Sequence, residues 1–193
     1  MKKLLLKDLM KLEDYSEQRD EFRARVIEHK KPRKLHLGPH MTLLFEDRLT
    51  IQYQVQEMLR IEKIFLRKAI QEELDAYNPL IPDGRNWKAT CLIEYEDADL
   101  RQQKLRELRG IENGIWAQIG ALPKRIVIAN EDISRSNEEK TAAVHFLRFE
   151  MPPADIKALK GGASMRFGVE HSHYSYSTLC SEVTRAALLA DLK

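Results

Sequence analysis

Apolar positions follow helical spacing in the first eighty residues of the chain and alternate with polar positions in much of the remainder. From Asp47 to Tyr77 they recur every three or four residues, which is typical of one long amphipathic helix. Asp47 is a suitable N-cap, and Asn78–Pro79 followed by Pro82–Asp83–Gly84 supplies a helix end and a turn. The pattern therefore predicts a long central helix within the region 36–80.

One stretch of this helix permits a second interpretation. Over residues 49–55 apolar and polar side chains alternate, as they would in a half-buried strand. We favour a helix because Asp47 can cap it and helix-forming residues follow. Helices are also predicted in the N-terminal segment 1–35, where Ser16 is a candidate N-cap, and in the C-terminal segment 181–193.

Short β-rich runs dominate the region 85–175 and predict a sheet of about five strands. The runs are residues 87–95, 115–119, 125–129, 141–149 and 164–169. Two short helices are predicted between them, at 97–109 and from Pro152–Pro153 onward. Segregated helices and strands indicate an α+β fold, with the long helix packed across one face of a mostly antiparallel sheet. The 193 residues are expected to form a single domain, 1–193.

Charge and hydropathy exclude several classes of function. The 32 Lys and Arg nearly balance the 30 Asp and Glu and leave a formal charge of +2, so we expect no specific nucleic-acid partner. The mean hydropathy is −0.48, and no run approaches the roughly 18 uncharged residues of a membrane span. Lys7 and Asp8 interrupt the first apolar run, so we expect no export signal. Cys91 and Cys180 are far apart in sequence, which is typical of a cytoplasmic protein without a disulfide framework.

One carboxylate stands at an apolar position of the predicted long helix. Glu62 shares a face with Met58 and Phe65, and Glu73 follows on the same face. An unpaired buried carboxylate would lose several kcal/mol of hydration, so Glu62 is predicted to be buried beside a cation or a metal ion. A core arginine such as Arg148 is the alternative to a metal, because structural ion pairs also bury carboxylates.

Histidines supply the other candidate metal ligands. His171 and His173 directly follow a predicted strand, and if the strand continues they project to one face, where two imidazoles can bind zinc or iron. His145 lies within the apolar run AVHFLRF and needs a hydrogen-bond partner or a metal ion. The candidate metal ligands are therefore Glu62, His145, His171 and His173. The alternatives are that His145 is a satisfied core residue and that the two later histidines are solvated.

Other motifs point away from common catalytic chemistry. The sequence has no P-loop, no G-x-S-x-G elbow and no dinucleotide-binding G-x-G-x-x-G, and neither cysteine has basic neighbours that would activate a thiol. His36 and His40 are separated by Gly38–Pro39, so only a turn could bring them together. The four cations within residues 30–34 surround Pro32 and are expected to form a solvated loop.

Three segments of the chain carry a resemblance to a known family. They are LGPHMTLLFEDRLTIQYQVQEMLRIEKI, IQEELDAYNPLIPDGRNWKATCLIEY, and EKTAAVHFLRFEM followed by FGVEHSHY. The chain resembles an uncharacterised bacterial family, the domain of unknown function 3501. Members are often encoded near rubrerythrin-like proteins and iron–sulfur oxidoreductases, so the resemblance implies a role in cytosolic peroxide or redox metabolism and names no catalytic residues.

The function predicted from these observations is that of an accessory protein of redox or oxidative-stress metabolism, which binds a metal ion or a small ligand between the long helix and the sheet. Redox proteins of the rubrerythrin-like or iron–sulfur class are its expected partners. A metal-dependent enzyme that uses Glu62, His145, His171 and His173 is one alternative. A structural or protein-interaction module is another.

Overall fold

A computed structural model describes residues 1–131 and 139–193, which form helices and antiparallel sheets and confirm the α+β class. The helices are α1 (Leu12–Lys30), α2 (Arg48–Ile61), α3 (Arg67–Tyr77), α4 (Ala98–Glu107), α5 (Pro153–Lys160) and α6 (Glu182–Leu189). The strands are β1 (Lys34–His36), β2 (Met41–Glu46), β3 (Asn86–Ile93), β4 (Ile115–Ile119), β5 (Arg125–Ile126), β6 (Ile128–Ala129), β7 (Val144–Glu150), β8 (Met165–His171) and β9 (Tyr174–Leu179).

The strands form two sheets where the sequence pattern predicts one. The first has the order β1-β2-β3-β7-β6 and the second the order β5-β4-β8-β9. Their inward side chains share one apolar core, in which the rings of Phe45 and Phe167 lie 5.0 Å apart between centroids. The pattern does not predict β1, β2 or β9, because β1 has only three residues, β2 lies within the region assigned to the long helix, and the edge strand β9 is mostly polar and exposed.

The predicted long helix is two helices. Asp47 caps α2 as expected, since its side chain accepts hydrogen bonds from the backbone N–H groups of Leu49 and Thr50, and residues 49–55 are helical. Lys63 then adopts a left-handed backbone with φ 54°, and the N–H of Ile64 donates to the carbonyl of Leu59 at 2.9 Å. This is a Schellman ending, which closes α2 without the usual glycine.

The helices also pack differently from the predicted arrangement. The buried residues of α2 are clustered with Leu74 of α3 and with Leu4 of the N-terminal segment, in a core separate from that of the sheets. In the N-terminal segment, Leu6–Asp8 is a short 3-10 helix and Ser16 lies inside α1, so it is no N-cap. At the other end Ser181 caps α6 through the N–H of Thr184, and α6 lies within the C-terminal segment predicted to be helical.

Arg33 links the basic run 30–34 to the C-terminal end of the chain. Its guanidinium donates to both carboxylate oxygens of Asp191, at 2.8 and 2.7 Å, and lies 3.2 Å from Asp47. Arg33 and Asp191 are both buried. The run was expected to be a solvated loop, but this arginine is part of a core ion pair. Within residues 1–131 and 139–193, none of the helices is both long and apolar enough to cross a membrane.

Candidate functional site

A groove opens where the β8–β9 hairpin of the second sheet meets the β1–β2 turn of the first sheet and one side of α4. Its volume is about 480 Å³, within the roughly 300 to 1,000 Å³ range of small-molecule sites. Three histidines and three tyrosines line it: His40, His171, His173, Tyr95, Tyr174 and Tyr176. We call this feature the histidine–tyrosine groove.

Contacts between the two sheets hold the tyrosines of this groove in place. The hydroxyl of Tyr174 donates to the carbonyl of Leu37 at 2.6 Å and accepts from the backbone N–H of His40 at 3.0 Å. Gly38 between them has φ +71°, and a Cβ there would lie 2.6 Å from the ring of Tyr176. A glycine is therefore required for both the turn and the close approach of the ring. Burial raises the pKa of Tyr174 to about 12, so its hydroxyl stays protonated at neutral pH.

His40 is held in one tautomer by the backbone. Its Nδ1 lies 3.1 Å from the carbonyl oxygen of Glu94, and because a carbonyl only accepts, Nδ1 must carry the proton. Nε2 makes no hydrogen bond within the described residues, and in the neutral imidazole it keeps its lone pair. The ring stacks on Tyr95 with centroids 4.0 Å apart and planes 22° apart. His40 therefore offers the groove a positioned hydrogen-bond acceptor.

His171 and His173 both line the groove, but not as two ligands on one strand. The strand β8 ends at His171, and His173 lies in the two-residue turn before β9. Nδ1 of His171 accepts the backbone N–H of His173 at 3.2 Å, so Nε2 carries the proton and donates to the carbonyl of Arg109 at 3.1 Å. With both nitrogens bonded, His171 has no lone pair left for a metal ion. The predicted same-face geometry is wrong because the chain reverses after His171.

One ion pair stands on the α4 side of the groove. Nζ of Lys104 donates to Glu107 at 2.7 Å. This bond lowers the pKa of Glu107, with smaller contributions that include Gln103 and His173, and it raises the pKa of Lys104. Both groups are charged at neutral pH and cancel each other. The groove therefore combines aromatic walls with a histidine acceptor and little net charge.

The whole chain is similar to other proteins of unknown function. A family model described as a protein of unknown function, DUF3501, matches residues 3–192. The chain belongs to the DUF3501 family. The DUF3501 chain is also similar to a novel protein of unknown function from Burkholderia pseudomallei K96243, known from a crystal structure, with 46% identity, a TM-score of 0.95 and 100% of each chain covered. No curated protein matches it significantly.

His145 of the DUF3501 chain is a buried and hydrogen-bonded core residue. Nδ1 lies 3.0 Å from the side-chain nitrogen of Asn130, which donates to it, so Nε2 carries the proton and donates to the hydroxyl of Thr141 at 2.9 Å. That hydroxyl donates in turn to Glu112 at 3.0 Å. Of the two interpretations of His145, the satisfied core residue is confirmed, because both ring nitrogens have partners inside the protein.

Glu62 lies outside the histidine–tyrosine groove, and the prediction that it is buried is wrong. It is the exposed C-cap residue of α2, because the helix ends there and does not carry its apolar face onward. Its charge contributes, after burial, to the raised pKa of Glu73. Arg148, the suggested partner, pairs instead with Glu131 and Glu150. Among residues 1–131 and 139–193 of the DUF3501 chain, no group of three or more His, Cys, Asp or Glu side chains is placed to hold a metal ion.

The two thiols of the DUF3501 chain are also unsuited to chemistry at neutral pH. Cys91 and Cys180 are both buried and unpaired, and burial raises the pKa of each to about 12. The thiolate is the reactive form, so both cysteines are poor nucleophiles. The expectation of no disulfide framework holds for both.

Most residues of the histidine–tyrosine groove of this DUF3501 protein are not predicted from the sequence. His40, Tyr95, Tyr176 and Lys104 come from separate elements that meet only after the sheets pack. One local signal was present, because Gly38–Pro39 between two apolar runs is typical of a hairpin turn.

Proposed function

We propose that this protein binds a small planar ligand in the histidine–tyrosine groove. The observation that carries the proposal is the fixed tautomer of His40, which lines the groove together with three tyrosines and whose Nε2 is left as an acceptor. A ligand with an N–H donor on a flat ring would donate to Nε2 and stack on an exposed ring. Tyr176 is 44% exposed and offers such a face.

The charged residues of the groove favour a neutral ligand. Lys104 and Glu107 neutralise each other, so the groove has no unpaired charge from this pair to attract a strongly ionic group. Tyr95 is protonated at neutral pH, as a tyrosine ordinarily is, and burial raises its pKa further. A neutral heteroaromatic ring fits these walls better than a phosphate or a metal ion, since a metal needs several free ligands at once.

In an accessory protein of redox metabolism, the bound ring would supply redox chemistry that the protein's own residues lack. The buried thiols are unreactive at neutral pH, so redox chemistry would come from the bound molecule or from a partner. The family resemblance implies rubrerythrin-like or iron–sulfur partners in the cytoplasm, and these partners and this location remain part of the proposal. The metal-dependent alternative has less support, because His145 and His171 use both ring nitrogens within the protein.

The test is a binding measurement with planar probes. Riboflavin and adenosine carry N–H donors on flat rings, and glucose is a non-planar control. We expect at least one planar probe to bind the wild type. His40→Phe keeps an aromatic ring against Tyr95 but removes the acceptor, so it should weaken that binding about tenfold, the value of one hydrogen bond.

His36→Phe is the matched control, because His36 is an exposed histidine on β1 that does not line the groove. This variant should bind as tightly as the wild type. Absence of binding by both planar probes at millimolar concentration, or equal binding by wild type and His40→Phe, would overturn the proposal. Stoichiometric metal in protein purified without an affinity tag would favour the metal-binding alternative instead.

A further inference from the structure

A second groove lies among the helices. It runs between the N-terminal segment and the α2–α3 connection and has a volume of about 540 Å³. Its lining is mainly apolar and includes Leu6, Leu9, Met10, Leu59, Ile64 and Phe65. We call it the N-terminal groove. It shares no lining residue with the histidine–tyrosine groove.

Large apolar side chains are displayed at the edge of this groove. Phe65 is 67% exposed and Leu66 is 76% exposed, both in the connection between α2 and α3. The connection includes Lys63, whose left-handed backbone is strained for a residue other than glycine. Clustered exposed apolar residues mark interaction surfaces in soluble proteins, and strain is commonly retained where it serves binding.

The rim of the groove is positively charged. Lys7, Lys11 and Arg67 line it together with a single acidic residue, Glu13. None of the three cations forms a salt bridge with any residue in the described ranges, and all three are exposed. Their charges are therefore available to a negatively charged partner, and they are screened by salt as surface charges are.

We propose that the N-terminal groove binds an acidic amphipathic helix of a partner protein. Apolar side chains at helical spacing would enter the groove between Leu9 and Phe65, and carboxylates on the flanks of the same helix would meet Lys7, Lys11 and Arg67. This is the helix-in-groove mode of recognition. The concave apolar lining favours a helix, whose side chains can enter a groove, over a flat lipid surface. Met10 adds an adaptable wall.

The experiment uses the full chain as bait for a bead-displayed random library of peptides of about 15 residues, which is about four helical turns. Enriched peptides are expected to carry apolar residues at helical spacing and a net negative charge. Two variants should each reduce the affinity for an enriched peptide at least about tenfold. The first is Phe65→Ser, and the second combines Lys7→Glu, Lys11→Glu and Arg67→Glu. All of these positions are exposed, so the fold should be unaffected.

Matched controls change the same types of residue elsewhere. Val183→Ser replaces an exposed apolar residue of α6, and Lys157→Glu with Lys160→Glu and Arg106→Glu reverses three exposed charges outside the groove. Both controls should bind like the wild type. The proposal is overturned if no peptide is enriched, if the enriched peptides lack acidic bias, or if the groove variants bind as the controls do. Phe65-dependent binding to phosphatidylglycerol vesicles, or Phe65-dependent self-association, without peptide binding would overturn it as well.

Discussion

At the residue scale, single backbone contacts decide what the histidines can do. His40 gives its Nδ1 proton to the Glu94 carbonyl and keeps an acceptor at Nε2, whereas His171 and His145 have both nitrogens occupied. Three histidines of similar intrinsic chemistry therefore have different functional capacity. Their sequence neighbours do not reveal this difference, because Glu94, Arg109 and Asn130 lie 54, 62 and 15 residues from the histidines that they contact.

Gly38→Ala tests the close packing of the groove wall. The new Cβ would meet the ring of Tyr176 at 2.6 Å and would force a left-handed backbone on alanine. We expect a loss of about 3 kcal/mol in the free energy of unfolding, from backbone strain and overpacking together. Gly110→Ala is the control, since Gly110 also has a positive φ but no atom within 4 Å of the added Cβ. It should lose only about 1 kcal/mol in chemical denaturation, and equal losses would contradict the account.

The lowered pKa of Glu57 predicts how the free energy of unfolding changes at acid pH. Hydrogen bonds from Arg19 and Tyr15 help to lower its pKa from the ordinary 4.5 to about 2, against the opposing effect of burial. The carboxylate therefore stabilises the fold above pH 4.5, and this contribution is lost as the pH falls towards 2. Glu57→Gln should be less stable than the wild type at about pH 6, and the difference should shrink at about pH 3. Glu72→Gln, at an exposed residue, should show no such dependence.

At the element scale, the patterns located most helices but misjudged their continuity. Asp47 caps α2 as predicted, because capping depends on local chemistry, and α6 lies within the segment predicted to be helical. The end of α2 at Ile61 was missed, since neither glycine nor proline marks it and the closing residue is Lys63. The error placed Glu62 in a core that it does not reach. The edge strand β9 was missed because it has little apolar pattern.

Lys63→Gly tests the unusual ending of α2. Glycine adopts the left-handed backbone at this position without steric cost, so the variant should be about 1 kcal/mol more stable than the wild type. Arg60→Gly, inside the last turn of α2, should instead lose about 1 kcal/mol. Thermal and urea unfolding would measure both. A destabilised Lys63→Gly variant would show that the lysine side chain makes a contribution larger than the strain.

At the scale of the whole molecule, the histidine–tyrosine groove depends on how the two sheets pack. His40 and Tyr95 come from the side of the first sheet, and the β8–β9 hairpin comes from the second. The sequence predicted the α+β class from local patterns, but the groove arises from contacts between elements far apart in the chain. Composition and periodicity carry little information about such contacts.

Arg33→Ala tests a contact that joins distant parts of the chain. The substitution leaves Asp191 buried without its guanidinium partner, so we expect a loss of about 3 to 5 kcal/mol in the free energy of unfolding. Lys31→Ala, in the same basic run but exposed, should change it by less than about 0.5 kcal/mol. A double-mutant cycle with Asp191→Ala would show whether the two residues act as a pair. Additive effects would contradict the ion-pair account.

The most direct test of the central claim is nitrogen NMR of the histidine side chains during a titration with riboflavin. The account predicts that His40 begins as the Nδ1–H tautomer with an unprotonated Nε2, and that this nitrogen shifts as the ligand donates to it. His36 should not shift. A free protein in which His40 carries its proton on Nε2, or a bound ligand that leaves the His40 signals unchanged, would contradict the claim.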